Sequence, residues 1–71
     1  MIMEAHKEKL LLIRAKRRLT REMLAEKAGI SVRTLYKIEK GMPVRMITAV
    51  KLCEALEIEL AQLDITIVEE Q

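Results

Sequence analysis

Phenylalanine and tryptophan are absent from this chain, and tyrosine, histidine, cysteine and proline occur once each. Each shortage excludes something. Without Phe or Trp the interior has to be assembled from Leu, Ile, Val, Met and Ala. A single cysteine rules out an internal disulfide framework and any cysteine-based zinc cage, and it suits a reducing, cytoplasmic setting. His6 has no second ligand near it and reads as a surface residue rather than a metal site. No apolar run approaches the roughly 18 residues that span a bilayer, and no signal-peptide pattern is present, so no membrane role is expected. There is no Ser/His/Asp arrangement, no Gly-rich phosphate loop and no carboxylate cluster with metal spacing. The chain is therefore not expected to be an enzyme, and no catalytic residue, metal or cofactor is assigned.

What is present points to a folded domain. Of the 71 residues, 51% are apolar and 34% charged, a balance that argues for one small globule rather than disorder. A domain of this size buries only about 60% of its unfolded surface, so dimerisation would help it. The net charge of +2 hides a polarity. Residues 1–45 carry twelve Lys/Arg against five Asp/Glu, a surplus of seven, whereas residues 46–71 carry one against six, a deficit of five. The basic half suits a polyanion. The acidic half would face away from it and could face a protein partner.

The basic half contains Thr20 to Gly41, TREMLAEKAGISVRTLYKIEKG. It reads as two short helices, Arg21 to Ala28 and Val32 to Lys40, joined by a tight turn. Thr20 and Ser31 stand where N-caps belong, because their hydroxyls can accept a free backbone N–H of the first turn. Gly29 can close the first helix with positive φ, Gly41 can close the second, and Pro43 prevents its resumption. Two helices around such a turn are the layout of a helix-turn-helix, whose second helix enters the DNA major groove.

On a helical wheel with Leu35 at zero, Val32 and Ile38 lie roughly 60° to either side and complete an apolar stripe. Arg33, Lys37 and Lys40 fall within about 40° of the opposite pole, with Tyr36 beside them at about 100°. Three cations and the only tyrosine thus share the outward face, which suits approach to phosphates and hydrogen bonding to base edges. Glu39 lies only about 40° from Leu35 and points partly inward. A carboxylate there needs a counter-ion. Arg14, next to Ile13 on the preceding helix, is expected to provide it in an Arg14–Glu39 ion pair.

This stretch resembles the helix-turn-helix of the phage-repressor group (Cro and lambda repressor), also called the XRE family. The resemblance rests on Leu19-Thr20, Leu24-Ala25, Ala28-Gly29-Ile30-Ser31, Thr34-Leu35 and Ile38-Glu39-x-Gly41, and extends through Leu10, Ile13 and Arg14 and through Ala49 to Leu63. It implies an all-α, five-helix domain that acts as a two-fold homodimer on double-stranded operator DNA. Carried over by position, Val32, Arg33 and Lys37 match base-reading sites, and Arg21 and Lys40 match phosphate-contacting sites. Arg21 stands where the family often has Gln. Val32 stands where polar residues are common, and can offer only apolar contact, for example to a thymine methyl.

The remaining segments fall around this motif. Met1 to Ala5 carries no strong signal and is expected to fray. Lys7 to Lys16 reads as the first helix, with Leu10, Ile13, Arg14 and Arg17 on one face. Leu11 and Leu12 fall on other faces, as a second contact surface or as ordinary exposed leucines. Lys16-Arg17-Arg18 precedes the motif, where Arg18 can touch a flanking phosphate, and Arg45 can do so from the loop Met42 to Arg45. In the first motif helix Met23, Leu24 and Ala28 supply apolar surface.

Met46 to Glu57 reads as a fourth helix with Ala49, Leu52, Cys53 and Leu56 on its apolar stripe, Cys53 being a buried structural thiol. Glu59 to Leu63 reads as a short fifth helix, closing a domain of residues 1–63. Residues 64–71 form a tail in which β-branched Ile65 and Ile67 alternate with Thr66. A lone strand is unstable, so the tail is expected to pair with its symmetry mate in a dimer, to dock on Leu11 and Leu12, or to be disordered. The expectation is a sequence-specific transcriptional regulator, a repressor by resemblance, with Arg33, Lys37, Val32 and Tyr36 at base edges. Two rivals are an antitoxin that also binds its own promoter, and a protein-interaction module that has lost DNA binding.

Overall fold

The computed structural model describes residues 7–68. The expectations for Met1 to Ala5, for His6 and for the end of the tail at Glu69–Gln71 lie outside the described residues. Four α-helices form the body: α1 (Leu10–Lys16), α2 (Arg21–Ala28), α3 (Val32–Glu39) and α4 (Met46–Leu56). Between α3 and α4 lies a two-residue strand β1 (Val44–Arg45), and after α4 come a 3₁₀ turn (Leu60–Gln62) and β2 (Ile67–Val68).

Local chemistry sets the helix ends. Thr20 Oγ1 accepts the Met23 N–H at 3.1 Å and Ser31 Oγ accepts the Thr34 N–H at 3.0 Å, so α2 and α3 are both capped by a hydroxyl. Each of the four helices then closes on a left-handed residue with a paired backbone bond. The N–H of Leu19, Ile30, Met42 and Ile58 reaches back to the carbonyl of Arg14, Ala25, Lys37 and Cys53 respectively. Gly29 (φ 72°) and Gly41 (φ 90°) adopt this conformation at little cost, whereas Arg18 (φ 57°) and Glu57 (φ 55°) adopt it against the clash of a Cβ.

The core is aliphatic, as the composition requires. Leu10 and Ile13 of α1, Leu24, Ala25 and Ala28 of α2, Leu35 and Ile38 of α3, and Ala49, Leu52, Cys53, Ala55 and Leu56 of α4 are buried together with Val44 and Leu63. Small Ala25 and Ala28 allow α2 to sit close to α3 and α4, the helices it packs against most. Burial pushes the Cys53 thiol above its ordinary value, and the nearby Glu59 charge adds to this. Such a thiol is neutral and unreactive at pH 7.

Several expectations are corrected here. The first helix begins at Leu10 rather than Lys7, because Glu8 is held in extended backbone: its N–H donates to Gln62 O and its carbonyl accepts from Asp64 N–H, both at 2.9 Å. The expected fifth helix is a single 3₁₀ turn, bracketed by a box in which the Glu59 and Gln62 side chains each cap the other's backbone. The Met42–Arg45 connection is not all loop. Val44 and Arg45 pair in parallel with Ile67 and Val68, and the Val44 N–H donates to Thr66 O at 2.8 Å.

The described part of the tail therefore has a strand partner within its own chain and does not dock on Leu11 and Leu12. Leu11 and Leu12 stay half exposed, while Ile65 and Ile67 pack on the core. Val32 and Met23, expected to be apolar packing surface, are exposed at 39% and 51%. Arg17 is exposed as well.

Candidate nucleic-acid interface

The candidate interface is built on α3 and the first turn of α2. Leu35 and Ile38 anchor α3 in the core, fixing which side faces outward. Val32, Arg33, Tyr36, Lys37 and Lys40 are all exposed along that outward side. Among the described residues Arg33 and Lys37 engage no carboxylate, so their charge is directed to solvent. Arg45 lies at the far end of the same surface. It shares a shallow depression with Thr34, Lys37 and Thr48, beside α3. Arg18 is exposed at the left-handed end of α1, two residues before the cap of α2.

Glu39 organises the inner side. Its side chain is only 5% exposed, and each of its oxygens takes one arginine. Arg14 Nε donates to Oε2 at 2.7 Å, and Arg21 Nε donates to Oε1 at 2.7 Å. Arg14 also donates through Nη1 to the Leu19 carbonyl at 3.0 Å, tying the end of α1 into the same cluster. One carboxylate thus joins α1, α2 and α3. Two charge-assisted bonds replace the water that Glu39 loses on burial, which is the condition for a buried charge to be tolerated. The hydrogen bond to Glu39 raises the Arg21 guanidinium above its ordinary value, against a smaller opposing effect of desolvation, so it is a permanent cation.

Tyr36 is not an isolated aromatic on a basic face. The Arg21 guanidinium carbon and the Lys40 ammonium nitrogen each lie 4.9 Å from its ring centroid. Both distances are within the ~6 Å range of cation–π attraction. Neither the Arg21–Glu39 bond nor the stacking on Tyr36 was anticipated from the sequence. One signal was available: Arg21 is the first residue of a helix, where the dipole disfavours a cation, so a nearby carboxylate was called for. Lys16 of the basic cluster, by contrast, is occupied by Glu8 at 2.8 Å in an exposed pair.

Two capped helices around a glycine turn, with the second presenting an exposed basic face, define the helix-turn-helix class of DNA-binding protein. A family model described as Helix-turn-helix matches residues 10–63, from the start of α1 to the end of the 3₁₀ turn. The chain belongs to that family, in its phage-repressor-like or XRE group, and its kind of function is DNA-binding transcription regulation. No curated protein and no solved structure matches the chain. Among the described residues no helix is long and apolar enough to cross a membrane, and no group of His, Cys, Asp and Glu could hold a metal ion.

Proposed function

We propose that this protein is a sequence-specific regulator, acting as a cytoplasmic homodimeric repressor, that docks α3 in the major groove of operator DNA. The observation that carries the reading is the outward face of α3: Arg33 and Lys37 exposed, without carboxylate partners among the described residues, on a helix whose opposite face is locked into the core. Arg21, Lys40, Arg45 and Arg18 would contact phosphates and set register. Arg33, Lys37 and Val32 would meet base edges, Arg33 with the planar fork that suits guanine O6 and N7. Occupancy of the operator would then exclude other proteins from it.

Titration of labelled duplexes tests this. Micromolar-range binding to mixed-sequence DNA should weaken steeply with salt, as counterion release requires. At the operator, Arg33→Ala should lose about 1–3 kcal/mol and relax base preference at one position. An equal loss on operator and random DNA would make Arg33 a phosphate contact instead. No binding by the wild type at low salt would favour the protein-interaction reading.

The dimer part of the reading is supported by α4. Its outward pole, which solvent should make polar, carries Met46, Ile47 and Val50, with Ile47 at 61% the most exposed large hydrophobic among the described residues. A second copy packed about this patch would cover it. Ile47→Glu should then convert a dimer into a monomer in sedimentation equilibrium without lowering the melting temperature of the monomer. A wild type that sediments as a monomer at high concentration, with and without DNA, sinks this part.

A further inference from the structure

We propose that Arg21, Tyr36 and Lys40 form a preassembled clamp for one backbone phosphate, in which Tyr36 is a positioning residue rather than a reader of base edges. This deepens the DNA-binding reading and rests on it.

The ring gathers two cations from different helices. Lys40 is one turn beyond Tyr36 on α3's outward side, so its ammonium reaches the ring along the helix. Arg21 comes from the start of α2 and is held there by its Nε bond to Glu39 Oε1. Two like charges on one ring repel each other, and Arg21 in addition stands at the helix end that disfavours a cation. The structure accepts both costs. An anion bound at that point would relieve both.

The charges around the cluster show why the site stays electropositive. Among the described residues Glu39 is the one carboxylate in direct contact, and it is shared inward between Arg14 and Arg21. Glu22, next to Arg21 in the chain, acts on it at longer range. Against the two carboxylates stand Arg14, Arg21 and Lys40, leaving a formal surplus of one positive charge. Because Nε of Arg21 is committed to Glu39, the guanidinium's terminal amino groups carry its other four N–H donors. Lys40 adds three donors, and the two non-bridging oxygens of a phosphodiester can take one bond from each side chain. Tyr36, 42% exposed, is the platform that keeps the two long side chains from dispersing into solvent.

The test compares wild type, Tyr36→Leu, Tyr36→Phe and Arg21→Ala/Lys40→Ala, the last both with and without Tyr36→Leu. Each is titrated into mixed-sequence duplex, and into an operator selected by wild type from random DNA, over a range of salt. Tyr36→Leu should weaken both duplexes by a similar factor, about tenfold, and lower the salt slope by about one to two. Tyr36→Phe keeps the ring and should restore both values. In the double-alanine background Tyr36→Leu should change nothing further. Loss confined to the operator, an unchanged salt slope, or a Phe variant as impaired as Leu would overturn the clamp.

A second arm is independent of DNA. Tyr36 is the only tyrosine of a chain without Phe or Trp, so the tyrosine ring protons seen by NMR are its own. Millimolar inorganic phosphate should shift them in wild type and not in Arg21→Ala/Lys40→Ala. Rings that ignore phosphate overturn the clamp even if the protein binds DNA. Rings that respond, in a protein that binds no DNA at low salt, uphold the anion site and refute the DNA reading.

Discussion

Between Arg14 and Lys40 the chain is pinned by polar bonds of defined direction: hydroxyl caps at Thr20 and Ser31, the Glu39 cluster, and cations laid on Tyr36. Between Val44 and Val68 it is held mainly by apolar burial and a two-residue ladder. Burial is strong but non-directional. Hydrogen bonds and ion pairs contribute less net free energy each, yet they fix angles. The half that presents α3, proposed to enter a groove at one orientation, is the half built from directional contacts. The other half, Arg45 and the exposed patch of α4 apart, contributes mainly to the shared apolar core.

That contrast can be broken from either side. Leu52→Ala removes a fully buried side chain from α4 and should cost about 3 kcal/mol, a large part of the roughly 4–10 kcal/mol such a domain holds. Chemical denaturation should show the loss. DNA affinity per folded molecule should not change, and if it does, the two halves are not separable in this way.

Glu39→Ala attacks the directional half. It leaves Arg14 largely buried without its counter-ion and should cost about 2–3 kcal/mol. Unlike Leu52→Ala, it should also weaken binding to every DNA sequence, because α1, α2 and Arg21 lose their common anchor. Normal affinity in the folded fraction would reduce Glu39 to a purely stabilising role.

The smallest expected effects compare the helix ends. Gly41→Ala should lower stability by about 1 kcal/mol, since a Cβ there meets nothing within 4 Å and the cost is that of φ 90° alone. Glu57→Gly removes the same strain from the end of α4 and should raise stability by about 0.5 kcal/mol. Thermal melts that move in the same direction for both would mean that the left-handed residue is not what limits these ends.

Much of the helical framework was legible because its signals are local. A hydroxyl at Thr20 or Ser31 acts on an N–H three residues later, and Gly29 or Gly41 closes the turn it stands in. The same reading missed the left-handed ends at Arg18 and Glu57, where the fold imposes a conformation that those side chains do not advertise. It gave the first helix three residues that belong to an extended segment, because nothing near Lys7 or Glu8 announces a bond to Gln62 and Asp64.

The sequence by itself determined the positions of four helices, the capped turn between α2 and α3, the aliphatic make-up of the core, and the segregation of positive from negative charge. Each follows from residue type and spacing within a few positions of the chain. Only the tertiary structure decided that Val44 would pair with Ile67, that Val32 would stand clear of the core, and that Arg21 would be drawn to Glu39 and Tyr36. Those outcomes depend on which groups are left without partners once the helices have packed. A strand edge or a buried carboxylate takes whatever complement the fold brings within reach, however distant it is along the chain.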